Sequence, residues 1–173
     1  ALPYLEQTIR VWDLAATEGG GDYTVGAKVA KAMDGRWFLL DIQRKRLNAN
    51  RVRTLVRDTA KADGHMTKIR IEESRDGAGK SVVEFYKNDE ELLGYDIDGV
   101  RAEGQKEQRA MPYSALQNGG FFWLPAEAEW LKEFINEHRQ MMGDGRKPRH
   151  DDQIDTVAYA VLEIGDAGPV VFA

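Results

Sequence analysis

The chain has 173 residues, of which 42% are hydrophobic and 31% charged, and a formal net charge of -5. That balance suits one soluble domain with its own core, and no apolar run approaches the length of a membrane span. With no cysteine, disulfides and thiolate metal sites are excluded, and the scattered His65, His138 and His150 lack the spacing of zinc ligands.

The opening Ala1-Leu2-Pro3-Tyr4 lacks an initiator Met and shows no signal-peptide pattern. It reads as the start of a piece of something longer, with removal of the start Met as the simpler alternative. Thr8 to Ala15 is an apolar-rich run and a strand candidate. After the glycine-rich turn over 17–22, Tyr23 to Ala30 forms a second candidate. Asp34-Gly35 is a hairpin-turn dipeptide, and Trp37 to Ile42 is the third strand of an expected antiparallel meander. Asn48 caps a helix over 49–63, whose Val52, Leu55, Val56 and Thr59 recur at helical spacing. Lys68 to Glu72 alternates polar and apolar, as a strand does. Helices are expected over 79–87, 107–117, from Pro125 to about Met142, and over 151–164, with short strands at 95–100 and 121–124. Trp12, Trp37, Phe38, Phe121, Phe122 and Trp123 are expected in the core. A meander, a helical crossover and further strands separated by helices make an α/β domain with a mixed sheet, of ribonuclease H-like order.

Three acidic positions fall where such elements end. Asp13 lies within the first strand, where a carboxylate is costly to desolvate without compensation. Glu72 and Glu73 close the fourth strand, and Asp151 and Asp152 open the last helix. Phosphodiester cleavage needs a nucleophilic water and a stabilised leaving oxygen. Two divalent cations about 4 Å apart serve both, and Mg²⁺ prefers hard oxygen ligands. Carboxylates converging from several elements are the minimum apparatus. Each acid also has a plainer explanation: a hydrogen-bonded structural Asp13, a solvated strand end at Glu72 and Glu73, helix capping at Asp151 and Asp152, and a helix-surface acid at Asp155. The conjunction of three sites on the elements this fold brings together favours the metal reading.

Basic residues lie nearby. Arg44, Lys45 and Arg46 close the third strand, Lys106 and Arg109 flank a helix start, and Arg146, Lys147 and Arg149 precede the acidic helix. Phosphate contacts of this kind position DNA without reading its sequence, although such charges are also common on solvated surfaces. An acidic chain can handle DNA where its carboxylates carry cations that reverse the local sign. A competing motif is Gly77-Ala78-Gly79-Lys80-Ser81, after a strand and before a helix. A full phosphate-binding loop needs a glycine five positions before Gly79, where Ser74 stands. The turn into a helix could still present N–H groups, with Lys80, to a DNA phosphate.

Six runs, taken in order, carry a resemblance: Val11-Trp12-Asp13-Leu14-Ala15-Ala16-Thr17, Gly21-Asp22-Tyr23-Thr24-Val25-Gly26, Arg70-Ile71-Glu72, Gly77-Ala78-Gly79-Lys80-Ser81, Gly104-Gln105-Lys106 with Arg109-Ala110-Met111-Pro112, and His150-Asp151-Asp152-Gln153-Ile154-Asp155. Together they resemble the C-terminal nuclease domain of phage terminase large subunits, from about Arg10 to Ile164. The resemblance implies a single ribonuclease H-like domain over 1–173 with Mg²⁺- or Mn²⁺-dependent DNA endonuclease activity, cutting concatemeric viral DNA during packaging. It implies Asp13, Glu72 and the Asp151–Asp152 pair as catalytic metal ligands, Asp152 being preferred of the pair. It further implies double-stranded DNA, an ATPase motor domain that nothing in these residues matches, a small terminase subunit and a portal as partners, in the cytoplasm of a bacterial host. The alternatives are a nucleotide-binding domain built on Gly77–Ser81 and a catalytically silent scaffold that binds DNA or packaging partners.

Overall fold

The computed structural model describes residues 2–15, 22–73, 78–101, 105–143 and 152–166. Strands β1 (Leu5–Asp13), β2 (Thr24–Ala32) and β3 (Trp37–Lys45) form the antiparallel meander. Gly35, at φ 86°, makes the β2–β3 turn and donates its N–H to Ala32 at 3.0 Å, while Asp34 accepts the Arg36 N–H at 3.1 Å. Helix α1 (Ala49–Asp63) begins where Asn48 Oδ1 accepts the Arg51 N–H at 3.0 Å. It returns the chain to β4 (Thr67–Glu73), which pairs parallel with β1. Helix α2 (Ala78–Lys87), a 3₁₀ turn at Glu90–Leu92 and β5 (Ile97–Arg101) follow, with β5 parallel to β4. Helix α3 (Lys106–Asn118) leads to the two-residue β6 (Phe122–Trp123) beside β3, and α4 (Leu131–Gly143) and α5 (Asp152–Asp166) complete the chain. The six strands lie in the order β5-β4-β1-β2-β3-β6. Among the described residues no helix is long and apolar enough to cross a membrane.

Alternation in β1 sends its residues to two different cores. Ile9 and Val11 pack under α5, with Tyr113 of α3 and Phe134 of α4 forming an outer layer. Trp12 packs on the opposite face with Val52, Val56 and Ala60 of α1 and Val83 and Tyr86 of α2. Gly26, directly across from Trp12, leaves room for its ring: a Cβ there would lie 2.5 Å from it. Arg10 shares the α1 face and is only 2% exposed. Its Nε and Nη2 donate to Asp63 at 2.8 and 3.0 Å, and Nη1 reaches Asp41 at 2.8 Å and the Gly26 carbonyl at 3.0 Å. Lys28 completes this network at 3.0 Å from Asp63.

Some expectations are corrected here. Strand β1 starts at Leu5 and stops at Asp13, so Asp13 is the last strand residue rather than an interior one, and it is half-buried. Helix α4 opens at Leu131 instead of Pro125, after a turn in which Leu131 N–H donates to Ala128 at 3.1 Å. Phe121 and Trp123 are 53% and 48% exposed, not core. In the short edge strand only Phe122 turns inward, 4.9 Å from the Tyr113 ring, while Arg36 lies over Trp123 at 5.6 Å.

Candidate active site

Parallel pairing of β1 with β4 runs from Thr8↔Thr67 to Trp12↔Ile71. The next residue on each strand is Asp13 and Glu72, so these two acids end adjacent strands side by side, roughly 4.8 Å apart across the sheet. Both project to the α5 face. Asp13 follows the alternation of Ile9 and Val11, and Glu72 Oε1 accepts a hydrogen bond from the Tyr159 hydroxyl of α5 at 3.2 Å.

Two contacts set the direction of α5. Going up β4 from Arg70 to Glu72, the partners descend α5 from Glu163, 3.7 Å from Arg70, to Tyr159. Helix α5 therefore runs antiparallel to β4, with its N-terminal end over the carboxyl ends of β1 and β4. Asp152, Asp155 and Tyr159 lie on one stripe of the helix by their spacing. A helical side chain leans toward the start of its helix, so the Tyr159 hydroxyl sits near the turn of Asp155. Asp152 stands one further turn along, about 5 Å. Burial pushes the Tyr159 phenol above its ordinary pKa, and the Glu72 and Asp155 charges push the same way. Tyr159 therefore stays protonated and serves as a donor to Glu72.

Adjacent Glu72 and Glu73 go to different places. Glu73 turns to the other face, over Gly99, where a Cβ would meet its carboxylate, and pairs with Arg101 at 2.9 Å. Glu72 is the acid that shares a face with Asp13. Arg109 lies 5.2 Å from the Tyr159 ring, and both line an open groove of about 560 Å³ at the sheet edge with Arg101, Gln108 and the acids Glu73 and Glu163.

Across the sheet, Asp13 faces Val25 and Val25 faces Arg44, which places Arg44 on the same face, two strands from Asp13. Its guanidinium stacks on Tyr23 at 3.5 Å and reaches Glu133 at 3.3 Å; Arg46 approaches the same ring at 4.2 Å. Lys80 is exposed in the first turn of α2. Lys106 opens α3. Asp151, Arg146, Lys147 and Arg149, together with the side chain of Lys106, lie outside the described residues.

The start of α5 is held from α4. Glu137, 6% exposed, accepts the backbone N–H groups of Gln153 and Ile154 at 2.9 and 3.0 Å and the Gln153 side-chain amide at 2.5 Å. Burial pushes the Glu137 carboxyl up, against the pull of these bonds and of Arg44. Tyr159 and Glu137 were not visible as site residues in the sequence. The one available signal was the spacing of Asp152, Asp155 and Tyr159 on a single helical stripe.

Among the described residues no three acidic or histidine side chains form a group that could hold a metal ion. The donor type does suit one: Asp13 and Glu72 offer carboxylate oxygens on a shared face, the hard ligands that Mg²⁺ and Mn²⁺ take, and Asp152 lies in the first turn of α5, outside any such group.

The architecture has known counterparts. The nuclease domain of the human cytomegalovirus terminase, in a manganese-soaked and inhibitor-bound crystal, aligns over 95% of this chain and 86% of its own, with a TM-score of 0.62 and 11% identity. The Holliday junction resolvase of fowlpox virus aligns over 94% of this chain and 100% of its own, at 0.57 and 9%. The yeast mitochondrial Holliday junction resolvase aligns over 93% and 80%, at 0.53 and 11%. At such identities the likeness is one of fold, and the fold is ribonuclease H-like. No curated protein matches the sequence. The family model of the terminase RNase H-like domain matches residues 10–163, and the chain belongs to that family.

Proposed function

We propose that this domain is a DNA endonuclease of a viral genome-packaging terminase. It would use two divalent cations, Mg²⁺ or Mn²⁺, held by Asp13, Glu72 and the Asp151–Asp152 pair. The observation that carries this reading is the juxtaposition of Asp13 and Glu72 at the ends of paired parallel strands, beneath the start of α5. When bound, the cations activate the attacking water and stabilise the leaving oxygen. The chain's own groups do the rest. Asp13 and Glu72 present oxygens from rigid strands, Tyr159 orients Glu72, and Arg109 brings positive charge beside it. Arg109 in the adjoining groove, Arg44 and Arg46 across the sheet, Lys80 and Lys106, and Arg146, Lys147 and Arg149 are the residues proposed to guide the phosphate backbone. The substrate is concatemeric double-stranded DNA in the host cytoplasm. An ATPase domain, a small terminase subunit and a portal are the partners.

A nucleotide-binding reading of Gly77–Ser81 is disfavoured because β1, the central strand, has antiparallel β2 as one neighbour rather than belonging to an all-parallel sheet. The test is a plasmid-nicking assay with Mg²⁺, Mn²⁺ or EDTA on the wild type and Asp13→Asn. Nicking that requires metal and disappears in the variant is expected. Metal-dependent nicking by folded Asp13→Asn would overturn the assignment, and no nicking by the wild type would favour a silent scaffold.

A further inference from the structure

Glu137 has no role in the chemistry above, yet it is a buried carboxylate that spends its acceptor capacity on another helix. The first N–H groups of a helix have no partner within it. In α5 the Gln153 and Ile154 groups, those a capping side chain would ordinarily take, donate to Glu137 Oε1 at 2.9 and 3.0 Å. Its other oxygen takes the Gln153 amide. Helix α5 is thus fastened at its first turn to α4 and, two turns later, to β4 through Tyr159 and Glu72. Asp155 lies between the fastenings, and Asp152 directly precedes the first. Capping of these two groups is thus supplied from α4.

We propose that Glu137 is a positioning residue: it fixes the first turn of α5, from which Asp152 would join Asp13 and Glu72 when a cation binds. This rests on the two-metal reading. Glu137 touches no reacting atom and acts through the backbone that carries Asp152. Two substitutions separate its hydrogen bonds from its charge. Glu137→Ala leaves the Gln153 and Ile154 N–H groups without an acceptor. Glu137→Gln keeps an oxygen for them. Its amide can donate to Gln153 Oε1, which is buried with no hydrogen-bond partner among the described residues, once the Gln153 amide turns over.

The experiment is Mn²⁺ titration by calorimetry on the wild type, Glu137→Ala, Glu137→Gln and Asp152→Asn, and on the Glu137→Ala/Asp152→Asn double variant. Loss of an outer partner of a metal ligand weakens binding about 10- to 100-fold. Glu137→Ala is expected to fall in that range, Glu137→Gln to stay within about threefold of wild type, and the Glu137→Ala effect to vanish when Asp152 is already Asn. Wild-type affinity in Glu137→Ala, an equal loss in the Asp152→Asn background, or a Gln variant as weak as Ala would each overturn the proposal. If Glu137→Ala does not fold, amide hydrogen exchange on the wild type decides. Gln153 and Ile154 should exchange as slowly as Val157 in the middle of α5, and exchange near open-chain rates would refute the cap. Should the wild type take up no Mn²⁺, the two-metal reading fails instead, and the exchange result still reports on the cap.

Discussion

Arg10 and Asp13 stand three positions apart in β1 and face opposite sides of the sheet. On the α1 side, Arg10 is enclosed, and each of its nitrogens meets Asp63, Asp41 or a carbonyl within 3.0 Å. On the α5 side, Asp13 is half-buried at the last strand position, beside Glu72 and below the acids of α5. The strand thus holds one charge enclosed with its partners on the α1 side and another at its carboxyl end on the α5 side, next to Glu72. The first arrangement serves cohesion. The second suits the cation site proposed above.

That contrast yields a crossed pair of substitutions with the largest effects. Arg10→Met leaves Asp63 and Asp41 without their shared partner and should cost about 3–5 kcal/mol in urea unfolding, while folded molecules keep their cutting rate. Asp13→Asn should do the reverse. Loss of several kcal/mol of transition-state stabilisation lowers nicking about a thousandfold or more, with the thermal midpoint unchanged or raised by relief of acid–acid repulsion. If either variant loses both properties together, the separation of the faces is wrong. Next, Gly26→Ala pushes a methyl into the Trp12 ring. It should cost about 1–3 kcal/mol of overpacking and also slow nicking, since Trp12 immediately precedes Asp13. Tyr159→Phe removes the donor to Glu72 and should weaken Mn²⁺ binding about tenfold, with a much smaller change in stability.

The smallest effect concerns pH. Burial raises the Asp63 carboxyl, but Arg10 and Lys28 outweigh it and hold it below the ordinary aspartate value of 3.8. A carboxyl whose folded pKa is depressed contributes stability above its unfolded pKa, and loses it as pH falls through the folded one. Asp63→Asn should therefore narrow the stability gap to wild type as the pH drops below about 4, measured by urea unfolding between pH 7 and 2. A constant gap would mean that Asp63 acts through packing alone.

Much of the frame could be read along the chain because its signals are local. The Asp34-Gly35 turn, the Asn48 cap and the alternation over 68–72 each lie within a few residues of what they determine. Alternation also separates Glu72 from Glu73 once the side on which Ile71 packs is known. Long-range contacts were not legible. Tyr159 and Glu72 are 87 positions apart, and nothing in a tyrosine within an apolar seam points to a strand-end acid. Glu137 carries no local signal, because its partners on α5, two backbone N–H groups and the Gln153 side chain, lie 16 and 17 positions away. The basic run around Arg44 suggests a phosphate contact; its stacking on Tyr23 and its ion pair with Glu133 of α4 link residues far apart in the chain.

Helix α5 is sandwiched, with the sheet beneath it and α3 and α4 above, and Ile154, Val157, Ala158 and Val161 are all buried. Sliding it by one residue would rotate its side chains by about 100° and unseat both layers at once. The spacing of the acidic edge is therefore inherited from the hydrophobic interior, not adjusted at the surface. Substitutions in the segments that join the elements can then change the rim of this edge while the interior keeps its spacing constant.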